Sequence, residues 1–217
     1  MLRLNLSLYV ITDAALSRGR SHVDVVRAAI AGGATAVQLR DKTASTRELI
    51  QLGRALRALT GEAGVALIVN DRADVVLAVD ADGVHVGQDD LPALDARRIV
   101  CAGKIVGVSA ATIAEAQQAE RDGADYIGVG SVYATGSKPD AGAPIGPAGL
   151  APVARAVSIP AVAIGGINAE NAAACIAAGA VGVAVISAVV SAGDVTQAAR
   201  VLRAAIVAAQ TKYQRGV

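Results

Sequence analysis

The 217-residue chain is 53% hydrophobic and 18% charged, which excludes a disordered chain and a disulfide-stapled one, and its length allows one large domain or two small ones. Its 20 Lys and Arg stand against 19 acids, and aromatic residues make up only 2% with no Phe or Trp. A general nucleic-acid binder needs a strong positive field or stacking platforms, so nucleic acid is not an expected partner.

The first predicted strand covers residues 8–12. The segment 1–14 around it has a short apolar run, broken by Asn5, Ser7 and Asp13 and too short for a signal segment, so a cytoplasmic location is expected. A helix with apolar residues at Val23, Val26 and Ile30 then runs into Gly32 and Gly33, a helix-stop signal, before a second strand at 36–40. Strands at 65–69, 83–86, 105–108, 126–129, 161–164 and 183–186 follow, each separated by helical spacing such as Ile113, Ala116 and Ala119. Residues 172–193 carry no charge, but Gly179 and Gly182 divide them into helix, turn and strand, so no membrane partner is expected. Cys101 and Cys175 sit in apolar contexts and read as two buried reduced thiols.

The strands are nearly continuous apolar runs, as parallel strands covered on both faces should be. Eight strand-plus-helix units predict an α/β fold, a (β/α)8 TIM barrel in one domain over residues 1–217, shorter than the roughly 250 residues typical of that fold. An open doubly wound sheet is the alternative, but the turn Thr12-Asp13-Ala14-Ala15 lacks its Gly-rich phosphate loop.

In such a barrel the chemistry lies just after each strand. There the chain places Gln38, Arg40, Asp41 and Lys42, then Asn70, Asp71 and Arg72, then Gln88, Asp89 and Asp90. Ser109 follows the fifth strand, Thr135, Ser137 and Lys138 lie in the long loop after the sixth, Gly165 and Gly166 end the seventh, and Ser187 ends the eighth. Arg40, Lys42 and Lys138 offer converging cations for a polyanion, and the glycine pair offers bare backbone where barrels commonly hold a phosphate. Asp71 and Asp90 together suit a hard divalent cation such as Mg2+, completed by substrate phosphates. Duller readings exist: a solvated strand end where Arg40 and Lys42 pair with Asp41, helix caps at Asp71 and Asp90 with Pro92 at N1, a tight turn at the glycines, and a packed histidine at His85. With only His22 and His85, and two cysteines, no nucleophile-and-base relay is expected. The loop 131–145 lacks apolar periodicity and reads as a lid.

The motifs LYVITD (8–13), VQLRDK (37–42), VNDRADVVLAVDADGVHVGQDDLP (69–92), GVS (107–109), GADYIGVG (123–130), AIGGIN (163–168) and GVAVIS (182–187) resemble, in order and spacing, the thiamine-phosphate synthase family. The resemblance runs from Leu8 to about Ile206. It implies a transferase that uses Mg2+ to couple 4-amino-2-methyl-5-(diphosphomethyl)pyrimidine with thiazole phosphate, releasing pyrophosphate. It further implies that Gln38, Arg40, Lys42, Asn70, Ser109 and Lys138 hold the pyrimidine diphosphate, that Asp71 and Asp90 hold the metal, and that Thr135, Ser137, Gly166, Ile186 and Ser187 hold the thiazole phosphate. Arg40, Lys42, Ser109 and Lys138 would be the catalytic contacts. The chain departs from the family pattern where Ser131 and Ala134 stand in place of proline and Ser137 in place of threonine. A thiazole tautomerase relative, which would carry a histidine where this chain has Ala110, and a non-catalytic sensor of thiamin phosphates are the alternatives. No dimerisation signature is evident, which leaves assembly into a homo-oligomer open.

Overall fold

Runs of Val, Ile, Leu and Ala form the strands, and Ser or Thr hydroxyls start several of the helices between them. The computed structural model describes residues 4–137 and 142–215. In chain order it has β1 (Leu8–Ile11), α1 (His22–Ala31), β2 (Ala36–Leu39), α2 (Thr46–Ala63), β3 (Ala66–Asn70), α3 (Ala73–Val79), β4 (Gly83–Val86) and α4 (Ala93–Val100). Then come β5 (Ile105–Ala110), α5 (Ile113–Arg121), β6 (Tyr126–Val129), α6 (Gly146–Arg155), β7 (Ala161–Ile164), α7 (Ala172–Ala177), β8 (Gly182–Val185), α8 (Ser187–Val190) and α9 (Val195–Arg215).

Each strand pairs in parallel with its sequence neighbour, and the ring closes where Leu8, Tyr9 and Val10 meet Val183, Ala184 and Val185. That closing pair makes the sheet a barrel and excludes the open alternative. The single turn α8 is an addition to the expected eight-unit repeat: the chain coils once at the end of β8 before α9 packs down on the outside. Ser21 caps α1 by accepting from Asp24 N, and Ser45 with Glu48, like Thr112 with Glu115, forms a reciprocal capping box that satisfies orphan donors.

The unbroken apolar strands resolve into two cores. Leu8, Val10, Val37, Leu67, Val69, Val84 and Val106 face outward onto the helices. Tyr9, Ile11, Ala36, Ala66, Ile68, Tyr126, Val162 and Ala184 fill the barrel. The interior is tapered by small residues set against two tyrosines, whose rings meet edge to face at 6.0 Å between centroids. Gly107 is required there, because a Cβ at that position would stand 2.1 Å from Tyr126 Cζ.

Cys175 is buried and its thiol is pushed up to about 11 by desolvation, against a hydrogen bond to Tyr133. Cys101 corrects the expectation of two buried thiols: it is exposed, one residue beyond the end of α4, where a positive φ of 64° turns the chain outward. Among the described residues no helix is long and apolar enough to cross a membrane.

Candidate active site

The carboxyl ends of the strands open on one cavity of about 380 Å3. On one wall, at or just after the ends of β2, β3 and β4, stand Arg40, Lys42, Asn70, Asp71 and Asp90. Across from them stand Thr135 and Ser137 after β6, Gly166 after β7, and Ile186 and Ser187 after β8. Gln38 and Ser109, held in or beside the strand ladder by their pairing with Ile68 and Gly128, line the floor. The cavity thus gathers every described residue that the family resemblance assigned to substrate or metal, while Asp41 and Arg72 from the same strand ends are not part of its lining. Lys138 lies outside the described residues, as do 139–141 of the loop expected to act as a lid. The stems of that loop are tied down: Val132 N and Tyr133 N donate to Ile164 O and Gly165 O, and Ile145 N returns to Ser131 O.

Arg40 is not the solvated strand-end charge of the duller reading. Its Nη1 donates to Asp13 Oδ2 at 2.7 Å, and both side chains are 13% exposed. Asp13 lies two residues beyond β1, the strand beside β2 in the ring, and nothing in its local sequence marks it as the partner of Arg40. Asp41 turns away from the cavity instead. Partial burial acts to raise its carboxyl, but hydrogen bonds from Thr43 N, His22 Nε2, the Thr43 hydroxyl and Ala44 N outweigh that and hold it at about 2.

Neither Asp71 nor Asp90 caps a helix. The residues at the caps of α3 and α4 are Arg72 and Pro92, neither making a side-chain cap bond, so Pro92 stands at N-cap and not at N1. Asp71 sits at φ 60°, a left-handed position that costs a non-glycine residue of order 1–2 kcal/mol. Its Oδ2 accepts from Lys42 Nζ at 2.6 Å and from Asn70 Nδ2 at 2.5 Å. Asp90 Oδ2 accepts from Gly87 N at 2.9 Å. Burial, together with the neighbouring Asp90 carboxylate, lifts the Asp71 carboxyl above its ordinary value, although Lys42 pulls the other way. Two carboxylates forced this close fit a hard divalent cation. Among the described residues no cluster of three or more His, Cys, Asp or Glu exists, so two protein oxygens plus substrate phosphates and water is the coordination the donors allow.

Gly166, at φ 63°, carries no side chain because a Cβ there would stand 2.4 Å from Ala134 O. The loop after β6 therefore lies directly on the end of β7 and brings Thr135 and Ser137 beside bare backbone.

His85, which reads from the sequence as a packed histidine, is packed against Tyr126 but also reaches the site. It lines the cavity, with Nε2 3.0 Å from Ser109 Oγ and Nδ1 2.9 Å from Tyr126 Oη. An inward position on a strand looks apolar from its sequence neighbours, which face the other core. A Ser-His contact is thus present after all, but a phenol stands where a relay needs a carboxylate to stabilise imidazolium, so covalent hydrolysis is not supported.

The thiamine monophosphate synthase family model matches residues 8–189. A thiamine-phosphate synthase of Chloroflexus aurantiacus is 63% identical over 94% of this chain and 94% of its own. One from Moorella thermoacetica is 59% identical over 94% and 98%. The solved thiamine phosphate pyrophosphorylase of Pyrococcus furiosus superposes with a TM-score of 0.89 at 47% identity, covering 96% of this chain and 99% of its own.

Proposed function

The chain belongs to the thiamine monophosphate synthase family and is a transferase of thiamine biosynthesis, and from that premise we propose that its carboxyl-end cavity joins 4-amino-2-methyl-5-(diphosphomethyl)pyrimidine to thiazole phosphate in the cytoplasm. The observation that carries this reading is the division of one cavity into a wall of cations and paired carboxylates and a facing wall of hydroxyls and bare backbone. The first suits a diphosphate, the second a monophosphate.

The reaction breaks the bond between the pyrimidine methylene carbon and the diphosphate oxygen, and the electron pair leaves with the diphosphate. The thiazole nitrogen then supplies its lone pair to the same carbon. No proton moves in this balance, which agrees with a cavity that has charge and donors but no nucleophile-and-base pair. Arg40, fixed by Asp13, and Lys42 hold the diphosphate, and Gln38, Asn70 and Ser109 orient the pyrimidine half. Lys138 is assigned to the same diphosphate by the family pattern. Thr135, Ser137, Gly166, Ile186 and Ser187 seat the thiazole phosphate so that its nitrogen waits within attack distance. Mg2+ held by Asp71 and Asp90 would neutralise charge on the departing diphosphate. Ile11, Val162 and Ile164, which line the same cavity, keep water from an electron-poor methylene carbon.

Incubation with both substrates and Mg2+ tests this: thiamine phosphate and pyrophosphate should appear in equal amounts. Rearranged thiazole without coupling would make the chain a tautomerase, and tight binding of thiamine phosphate without turnover would make it a sensor.

A further inference from the structure

The floor of the cavity holds a chain of polar side chains that the reading above uses only at its two ends. Gln38 Nε2 donates to Tyr9 Oη at 2.6 Å, and Tyr9 Oη meets Tyr126 Oη at 3.0 Å. Tyr126 Oη then meets His85 Nδ1 at 2.9 Å, and His85 Nε2 meets Ser109 Oγ at 3.0 Å. Both phenols are fully buried, and desolvation holds them protonated far above their ordinary range.

A buried donor without an acceptor costs about 1–3 kcal/mol, so the inner end of this chain sets its direction. Tyr9 Oη already accepts from Gln38, and its own proton goes to Tyr126 Oη. Tyr126 in turn gives its proton to Nδ1 of His85. A neutral imidazole that accepts at Nδ1 carries its proton on Nε2, and that proton goes to Ser109 Oγ. With Nε2 of the Gln38 amide facing Tyr9 Oη, the reverse direction would leave the Tyr9 proton without an acceptor. Packing holds the rings in place: a Cβ at Gly128 would stand 3.3 Å from His85 Cε1, and the His85 and Tyr126 centroids are 5.5 Å apart.

We propose that His85 is a positioning residue for the transfer: locked by Tyr126 as its Nε2–H tautomer, it makes the Ser109 hydroxyl a donor aimed out of the floor at an acceptor atom of the pyrimidine diphosphate. The proposal rests on the reading above that Ser109 touches that substrate. It explains why a serine and a histidine stand in contact without acting as nucleophile and base, since Nε2 gives its proton to Ser109 and cannot take one from it.

The chain holds 2 histidines, so long-range nitrogen-proton correlation spectra of protein labelled at histidine report the tautomer directly. Spectra are taken at about pH 8.5, well above the ordinary imidazole value of about 6.5. A His22→Gln variant assigns the two signal sets. His85 should show a single Nε2–H form, and Tyr126→Phe should mix in the Nδ1–H form. An Nδ1–H form in the unaltered protein, or no change in Tyr126→Phe, overturns the proposal. In steady-state kinetics, Tyr126→Phe and His85→Leu should raise the KM for the pyrimidine diphosphate about fivefold to tenfold, the worth of one hydrogen bond, and leave the KM for thiazole phosphate unchanged. His85→Gln, whose amide nitrogen can donate in place of Nε2, should recover most of the loss. If Ser109→Ala alone shifts the diphosphate KM, the relay falls while the function stands; if Ser109→Ala shifts nothing, the substrate assignment of Ser109 falls and the relay's role with it.

Discussion

At the strand entrances Asp82 and Asp125 each stand one residue before a strand and accept from the backbone of the preceding one, Leu67 N at 2.8 Å and Val106 N at 2.8 Å, with Arg57 and Arg97 paired to the same carboxylate oxygens. At the strand exits Asp71 and Asp90 face each other, Asp71 also accepting from Lys42 Nζ and Asp90 from Gly87 N, and burial with the carboxylate repulsion lifts the Asp71 carboxyl. The same residue type thus stitches the ladder at one end and brings two carboxylates together at the other. The lesson is that what the fold offers a carboxylate decides its role. A donor from the neighbouring strand makes it part of the scaffold, and a second carboxylate across the cavity wall makes it a candidate ligand.

The largest break in that comparison should come from Arg40→Ala, which bridges both roles. It should cost about 3 kcal/mol in urea unfolding, because Asp13 is left mostly buried and unpaired, and it should also abolish turnover in the folded fraction. An unchanged unfolding midpoint would return Arg40 to the class of solvated charges. Next, Asp71→Asn and Asp90→Asn should lower kcat/KM by about 10²- to 10³-fold. Mg2+ titration should need higher metal, and stability should hold, since Asp71 gives up a charge the fold disfavours. Wild-type kinetics in both variants would make the two ends alike.

Asp82→Ala should do the reverse, removing an acceptor from buried Leu67 N at a cost of about 2–3 kcal/mol while activity per folded molecule stays the same. A calorimetric melting temperature within error of wild type would contradict it. The smallest effect sharpens the comparison within the exit end. Asp41 is held at about 2, below the unfolded carboxylate value, so its contribution of about 2 kcal/mol is present above about pH 4 and is lost as pH falls toward 2. Asp41→Asn should flatten the acid limb of the stability curve there and leave the activity profile near neutrality unmoved. A variant that loses turnover at neutral pH would place Asp41 in the site.

Much of this molecule is legible in one dimension. The apolar runs at 83–86, 126–129 and 161–164 coincide with β4, β6 and β7, because a buried parallel strand must be apolar on both faces. Strand ends differ from the apolar runs: Asn70, Ser109 and Ala110 belong to the ladder, while Arg40 and Ile186 lie outside it. Backbone pairing that ends a strand depends on the neighbouring strand, which the local sequence does not contain.

The chain order of its polar residues after successive apolar runs determined by itself that Gln38, Asn70, Asp71, Asp90, Ser109 and Ser187 would share one end of a barrel, since every strand of a parallel ring points the same way. Partners across the ring were decided only by the tertiary structure. Asp13 meets Arg40 across two adjacent strands, His22 takes Asp41 away from the site, and Tyr9, Tyr126 and His85 join into one chain through the interior. Those contacts link residues as far as 117 positions apart, between side chains that alternate inward from strands whose outward neighbours are plain hydrophobic residues. A local pattern reports which face is apolar, but only closure of the ring brings one inward side chain within hydrogen-bond reach of another.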